Sequence, residues 1–171
     1  MLLTPKPSMC DQDGFIAAYG QIYEHSPWVA ALAYAQGLTL DDDIPQALAA
    51  RFAAIVDAAG DTQKLTLLRA HPELAGKLAM AGELTQSSSI EQSGAGLDQC
   101  TAEEFARFHV LNQAYRDRFG FPFIIAVSGL RRLDILAAFE ARVHNDPGVE
   151  FTTALAQVHR IARFRLDRMA Q

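Results

Sequence analysis

The sequence predicts an all-α fold, a single compact bundle of about eight helices with one irregular buried segment near residues 119–127. Three observations carry that prediction. Apolar residues recur at steps of three and four along most of the chain. Proline and glycine fall where those runs start and stop. Half of the 171 residues are hydrophobic against 20% charged, which excludes intrinsic disorder and supplies a core for one domain over 1–171.

Each element follows in order. Phe15, Ala18, Tyr19, Ile22 and Tyr23 mark a first helix, stopped at Ser26-Pro27. Pro27 opens a second through Trp28, Leu32 and Ala35, ending near Gly37. The third spans Pro45 to about Ala59 with Leu48, Phe52, Ile55 and Val56 as its apolar face, and Gly60 follows as its stop. A fourth covers Gln63–Ala70 and ends there, because His71 precedes a proline and so avoids the helical region. Pro72 is placed as the first residue of a fifth helix, Glu73–Ala81, with Gly82 after it.

Residues 83–100 are polar and show no clear period, which marks a long loop of the kind that often carries function. Thr101-Ala-Glu-Glu104 reads as a capping box, followed by Phe105, Phe108, Leu111, Asn112 and Tyr115 on one side of a helix. Phe119–Val127 interrupts the helices. Leu130–Val143 is helical again, with Leu133, Leu136, Ala137 and Glu140 at its spacing. Asn145-Asp-Pro-Gly148 is a turn, and a last helix runs from about Glu150 to Met169.

The formal charge of −5 gives no general attraction to nucleic acid or anionic lipid, so neither is an expected partner. No apolar run approaches bilayer length. Cys10 and Cys100 make no disulfide framework, and no histidine or cysteine spacing fits a metal. Dinucleotide-binding and phosphate-loop glycine patterns are absent too. The expectation is a cytoplasmic protein with no metal and no cofactor.

Four features fit a plain bundle poorly. His71-Pro72 puts an imidazole at a helix junction, beside the free N–H groups of the next predicted helix; it is a turn residue or part of an anion-binding site. Ser88-Ser-Ile-Glu-Gln92 reads as a capping box, or as Glu91 and Gln92 projecting beside His71, where a carboxylate would raise the imidazole pKa and fix its tautomer. Phe119–Val127 is apolar yet broken by Gly120 and Pro122. With no sheet to join, its backbone groups must meet side chains, water or a planar polar ligand. Arg165 lies on the apolar stripe Phe151, Leu155, Val158, Ala162 and Met169. Either its head reaches water, or it meets a carboxylate or an anionic ligand.

An ordered set of motifs makes the reading specific. Glu24-His-Ser-Pro-Trp-Val29, Arg69-Ala-His-Pro-Glu-Leu-Ala-Gly-Lys77, Gly82-Glu-Leu-Thr85 and Ser88–Gln92 occur in turn. Ala95-Gly-Leu-Asp98, Leu111-Asn-Gln-Ala-Tyr115, Arg118-Phe-Gly-Phe-Pro-Phe-Ile124 and Arg160-Ile-Ala-Arg-Phe-Arg-Leu166 follow. Over roughly residues 13–169 the chain resembles the OHCU decarboxylases. These convert 2-oxo-4-hydroxy-4-carboxy-5-ureidoimidazoline to (S)-allantoin in urate breakdown.

The resemblance implies an all-α homodimer acting on that small molecule without a cofactor. It makes His71 the catalytic histidine and Glu91 its acidic partner. It places Pro72, Ser88, Gln92, the segment Phe123, Ile124, Ile125, Ala126 and Val127, and Arg165 around the substrate. Ser87 and Ser89 compete with Ser88 for the binding role, and spacing to Glu91 favours Ser88. The chain does not end in a peroxisomal Ser-Lys-Leu, which points to the cytoplasm. Two rivals stay open: a non-catalytic helical binding module, and a hydrolase of a related ring ureide.

Overall fold

The structure, a computed structural model, describes residues 1–76 and 84–171. Among these residues stand eight α-helices and no sheet. In order they are α1 (Gln12–Tyr19), α2 (Trp28–Ala35), α3 (Pro45–Ala58), α4 (Asp61–Arg69), α5 (Gln86–Gly94), α6 (Ala102–Phe119), α7 (Arg132–Arg142) and α8 (Pro147–Met169). None of the described helices is long and apolar enough to cross a membrane. The chain divides into two compact units, Met1–Ala70 with Val158–Gln171, and His71–Gln157.

In the first unit, Asp11 caps α1 by accepting from the Gly14 N–H at 2.8 Å. The helix stops at Tyr19 and not, as the periodicity predicts, near Tyr23. Gly20 still donates to the Ile16 carbonyl at 2.8 Å, and a Cβ there would lie 2.5 Å from that oxygen, so the position takes no side chain. Ile22 and Tyr23 are still buried, so the apolar pattern reports burial across the turn as well as along the helix. In α2 the buried face is Val29, Ala30 and Ala33, and Leu32 is exposed.

α3 buries the expected Leu48, Phe52, Ile55 and Val56, with Pro45 at its first position. Phe52 meets Phe15 and Tyr23 edge-on at 6.3 and 6.2 Å. Each such pair is worth about 0.5–1.5 kcal/mol beyond its buried area. Arg51 of α3 grips Asp42 with two parallel bonds, Nε to Oδ1 at 2.7 Å and Nη2 to Oδ2 at 2.9 Å. At the chain ends, Leu2 and Gln171 exchange backbone bonds of 3.1 and 3.0 Å.

In the second unit, residues 71–76 form a turn and not the start of a fifth helix at Pro72. Ala75 has a φ of +48°, which ends any helical run there. The rest of that predicted helix, 77–81 with Gly82, lies outside the described residues. The polar stretch read as a long loop holds α5 instead, capped by Thr85, whose Oγ1 accepts from the Ser88 N–H at 3.3 Å. Polar helices with little apolar stripe escape a periodicity reading.

The Thr101 capping box of α6 forms as expected, with reciprocal bonds of 2.9 and 3.2 Å to Glu104. Gly120 ends α6 at φ +76°, and an extended segment follows. α7 buries Ile135, Leu136 and Phe139, while the expected Leu133 points outward at 62% exposed. Two apolar stripes overlap in that sequence, and the bulkier one is buried. α8 starts at Pro147, one turn earlier than predicted.

Candidate active site

The second unit carries most of the candidate residues. α4 ends at Arg69 with Ala70 as its cap, and Pro72 bars His71 from the helical region, so the imidazole leaves the helix ladder. His71 is buried, at 8% exposed, and Pro72 is half-buried. On α5, Ser88, Glu91 and Gln92 stand at steps of three and four and share one stripe. Ser88 and Gln92 are buried and Glu91 is half-buried. Because Thr85 is the cap, Ser88 is a first-turn residue facing inward, not the helix cap that the sequence also allowed.

The three neighbouring serines differ in burial, and Ser87 is half-buried. Ser88 is buried, whereas Ser89 is exposed beside a cavity of about 550 Å³ that Gln92, Ser93, Leu97, Cys100 and Phe105 also line.

Gln92 ties α5 to the turn after His71. Its Oε1 accepts from the Ala75 N–H at 3.1 Å, and its Nε2 donates to the Glu73 carbonyl at 3.2 Å. One N–H and one lone pair of the amide are left over from those two bonds. The turn has no room for a side chain at Gly76, where a Cβ would lie 2.7 Å from the Glu73 Cβ.

Phe123, Ile124, Ala126 and Val127 are buried, and Ile125 is half-buried. The segment's polar backbone finds side chains, one of the outcomes its sequence required. The Ala126 N–H donates to Gln157 Oε1 at 3.0 Å, and the Ile124 carbonyl accepts from Arg142 Nη1 at 2.8 Å. Phe123 stacks on Phe139 at 3.9 Å, and the Arg142 guanidinium lies over the Phe123 ring, 4.5 Å from its centroid.

Arg142 in turn pairs with Glu150, which is fully buried. Nε and Nη2 donate to Oε1 at 2.9 and 2.5 Å, Asn145 Nδ2 donates to Oε2 at 2.7 Å, and the Tyr115 hydroxyl also donates to Oε1. Burial and the Glu150 charge push the Tyr115 hydroxyl pKa far up. This knot anchors the segment at Phe123 and Ile124. Sequence reasoning missed it, although Glu150 and Arg142 sit at positions where a charge adjoins an apolar face.

In the first unit, Arg165 is buried on the apolar stripe of α8, as the spacing predicts. Of the outcomes left open, it meets a carboxylate: Nη2 donates to Glu24 Oε2 at 3.2 Å. Nη1 lies 3.4 Å from the Ile22 carbonyl oxygen and 3.5 Å from that of Gln21. Glu24 was legible only as part of a motif, an acidic residue next to the buried Ile22 and Tyr23. Its side chain is 2% exposed, and it had no assigned role. Among the described residues, no group of three or more His, Cys, Asp or Glu could hold a metal.

Known proteins resemble the chain along nearly its whole length. The family model described as OHCU decarboxylase matches residues 8–167. The 2-oxo-4-hydroxy-4-carboxy-5-ureidoimidazoline decarboxylase of Haloferax volcanii is 43% identical over 91% of this chain and 89% of that protein. The protein of the same description from Halalkalicoccus jeotgali is 39% identical over 95% of this chain and 88% of that one. A crystal structure of (S)-allantoin synthase superposes with a TM-score of 0.79 at 34% identity, covering all of this chain. The present chain spans about half of that one, 54% of its length.

Proposed function

The chain belongs to the OHCU decarboxylase family, and from that premise we propose that it decarboxylates 2-oxo-4-hydroxy-4-carboxy-5-ureidoimidazoline to (S)-allantoin. The observation that carries the proposal is the tie between two elements of one unit. The turn after the buried His71 is hydrogen-bonded to Gln92, and Gln92 stands beside Glu91 and Ser88 on the same helix stripe.

The substrate supplies its own electron sink. When the bond to the carboxylate breaks, its electron pair passes into the adjacent ring C=N bond, CO₂ leaves and the ring nitrogen takes a proton. The substrate hydroxyl then gives up its proton as its carbon becomes a carbonyl, and the carbon bearing the ureido group gains one. His71, oriented by Glu91, manages the hydroxyl proton, and delivery to one ring face sets the (S) configuration. Such acid–base steps contribute about 10²–10⁴-fold.

Pro72, Ser88, Gln92 and the segment Phe123–Val127 bind and enclose the substrate in this reading, with Gln92 using the N–H and lone pair that its turn leaves over. A bare cation against the departing carboxylate would stabilise the ground state and slow the reaction. Glu24 offsets the charge of Arg165, which suits a donor to the oxo or ureido group. The reading takes residues 8–167 as one catalytic domain, because the family match runs through both units. It also takes the enzyme as a cytoplasmic homodimer, which a solution mass of twice 18.7 kDa would support.

The test generates the unstable substrate from urate with the two preceding enzymes, adds this protein and follows optical rotation. Rapid appearance of dextrorotatory (S)-allantoin supports the proposal. A slow racemic course unaffected by the protein supports a binding module. Turnover of hydroxyisourate itself supports a hydrolase.

A further inference from the structure

Asn112 occupies a position where an apolar side chain would be the default. It is 3% exposed and lies on the buried face of α6, between Phe108 one turn before and Tyr115 one turn after. Its Nδ2 donates to the Leu74 carbonyl at 3.0 Å. Its Oδ1 is buried and meets no hydrogen-bond donor among the described residues. An acceptor left so is a burden on stability, and a leucine, with the same branching and number of side-chain heavy atoms, would carry no such acceptor. What asparagine adds is one directed N–H, aimed at the turn that begins with His71.

A second tie from the same helix reaches the same turn. One helical turn beyond Asn112, Arg116 Nη2 pairs with Glu73 Oε1 at 2.6 Å. The turn itself has no helical ladder to hold it, and Ala75 sits in the left-handed region. Its carbonyls and N–H groups are held by side chains: Gln92 on Glu73 and Ala75, Asn112 on Leu74.

We infer that α6, through Asn112 and Arg116, positions His71 for catalysis: Asn112 holds the Leu74 backbone and Arg116 pairs with the Glu73 side chain, three and two residues beyond the imidazole. They are positioning residues, acting through the turn. The inference rests on His71 being the acid–base group. A turn freed from α6 lets the imidazole drift, and a misplacement of about 1 Å costs rate far more than affinity.

Asn112→Leu keeps the branching and the heavy-atom count and removes the N–H. In the coupled assay its kcat should fall about tenfold with KM within about twofold of wild type. The pH–rate profile should shift, and the allantoin formed should lose enantiomeric excess. Loss of folded enzyme would scale the rate but leave the profile and the stereochemistry unchanged. A lower rate with both unchanged therefore overturns the inference, as does a wild-type rate.

If Asn112→Leu does not fold, Arg116→Met carries the test, because Arg116 is half exposed at 51%. A fall in kcat with a shifted profile is expected there, and wild-type kinetics overturn the inference. His71→Ala separates the two levels. If that variant is inactive while both α6 variants behave as wild type, only this inference falls. If it stays active, the functional reading falls and takes the inference with it.

Discussion

Arg165 donates to Glu24 across 3.2 Å, with the two side chains only 4% and 2% exposed. Removing one member of such a pair costs far more than the pair contributes, because a desolvated charge is left poorly compensated. Glu24→Gln should lower unfolding stability by about 3 kcal/mol, read as a lower urea midpoint at unchanged slope. An unchanged midpoint would show that other groups already compensate the guanidinium. On the proposed substrate-binding role of Arg165, the same variant should also raise KM, since one of the partners that orient the guanidinium is lost.

His71→Ala should fold normally and lose about 10²–10⁴-fold in rate, with any residual product racemic. Glu91→Gln should show a smaller but large fall, because the amide can still orient the ring but cannot stabilise its charged form. Circular dichroism with the coupled optical-rotation assay checks both. Near-wild-type turnover by Glu91→Gln would remove that residue from the mechanism.

Acid should act through Asp42. Burial pushes its carboxyl up, but the Arg51 guanidinium and the Thr39 backbone N–H outweigh burial and leave its pKa below the ordinary 3.8. A depressed folded value contributes stability above pH 3.8 that is lost as pH falls through the lowered value. Arg51→Met should therefore lower the melting temperature at neutral pH and flatten its decline in acid. A parallel decline in both proteins would contradict this.

Base should act through Tyr115. Its hydroxyl is raised well above the ordinary 10.0 by burial and by Glu150. Folding then holds a proton that the unfolded chain gives up, so stability falls as pH rises beyond 10.0. Tyr115→Phe should cost about 1.5–3 kcal/mol at neutral pH, the range for a hydrogen bond to a charged group. It should also shrink the alkaline loss. Part of that loss should persist, because burial raises Tyr19 and Tyr23 as well. Thermal melts across alkaline pH separate the contributions.

The helices with a strong apolar stripe were legible. α3 buries the four residues its spacing names, and the Thr101 box starts α6 where the sequence places it. Misreadings cluster where local signals compete. α1 ends at Tyr19 although the apolar pattern continues, and α5 is too polar to show a period. For Arg165, spacing gave its burial but not its partner, because Glu24 lies 141 residues away in sequence. In the Arg142–Glu150–Tyr115 knot, Tyr115 escaped for the same reason, at 35 residues from Glu150, and Arg142 escaped because it pairs across the turn between two helices, where no shared period links them.

Ala75 carries a methyl group in the half of backbone space that glycine occupies freely. Ala75→Gly would relax that local tension, by roughly 1 kcal/mol, and harden the enzyme against heat. It would equally widen the range of shapes open to the loop that carries the imidazole. Heat resistance and turnover thus pull in opposite directions at a single side chain. A screen for thermotolerance alone would drift toward glycine there and select a sturdier, slower catalyst.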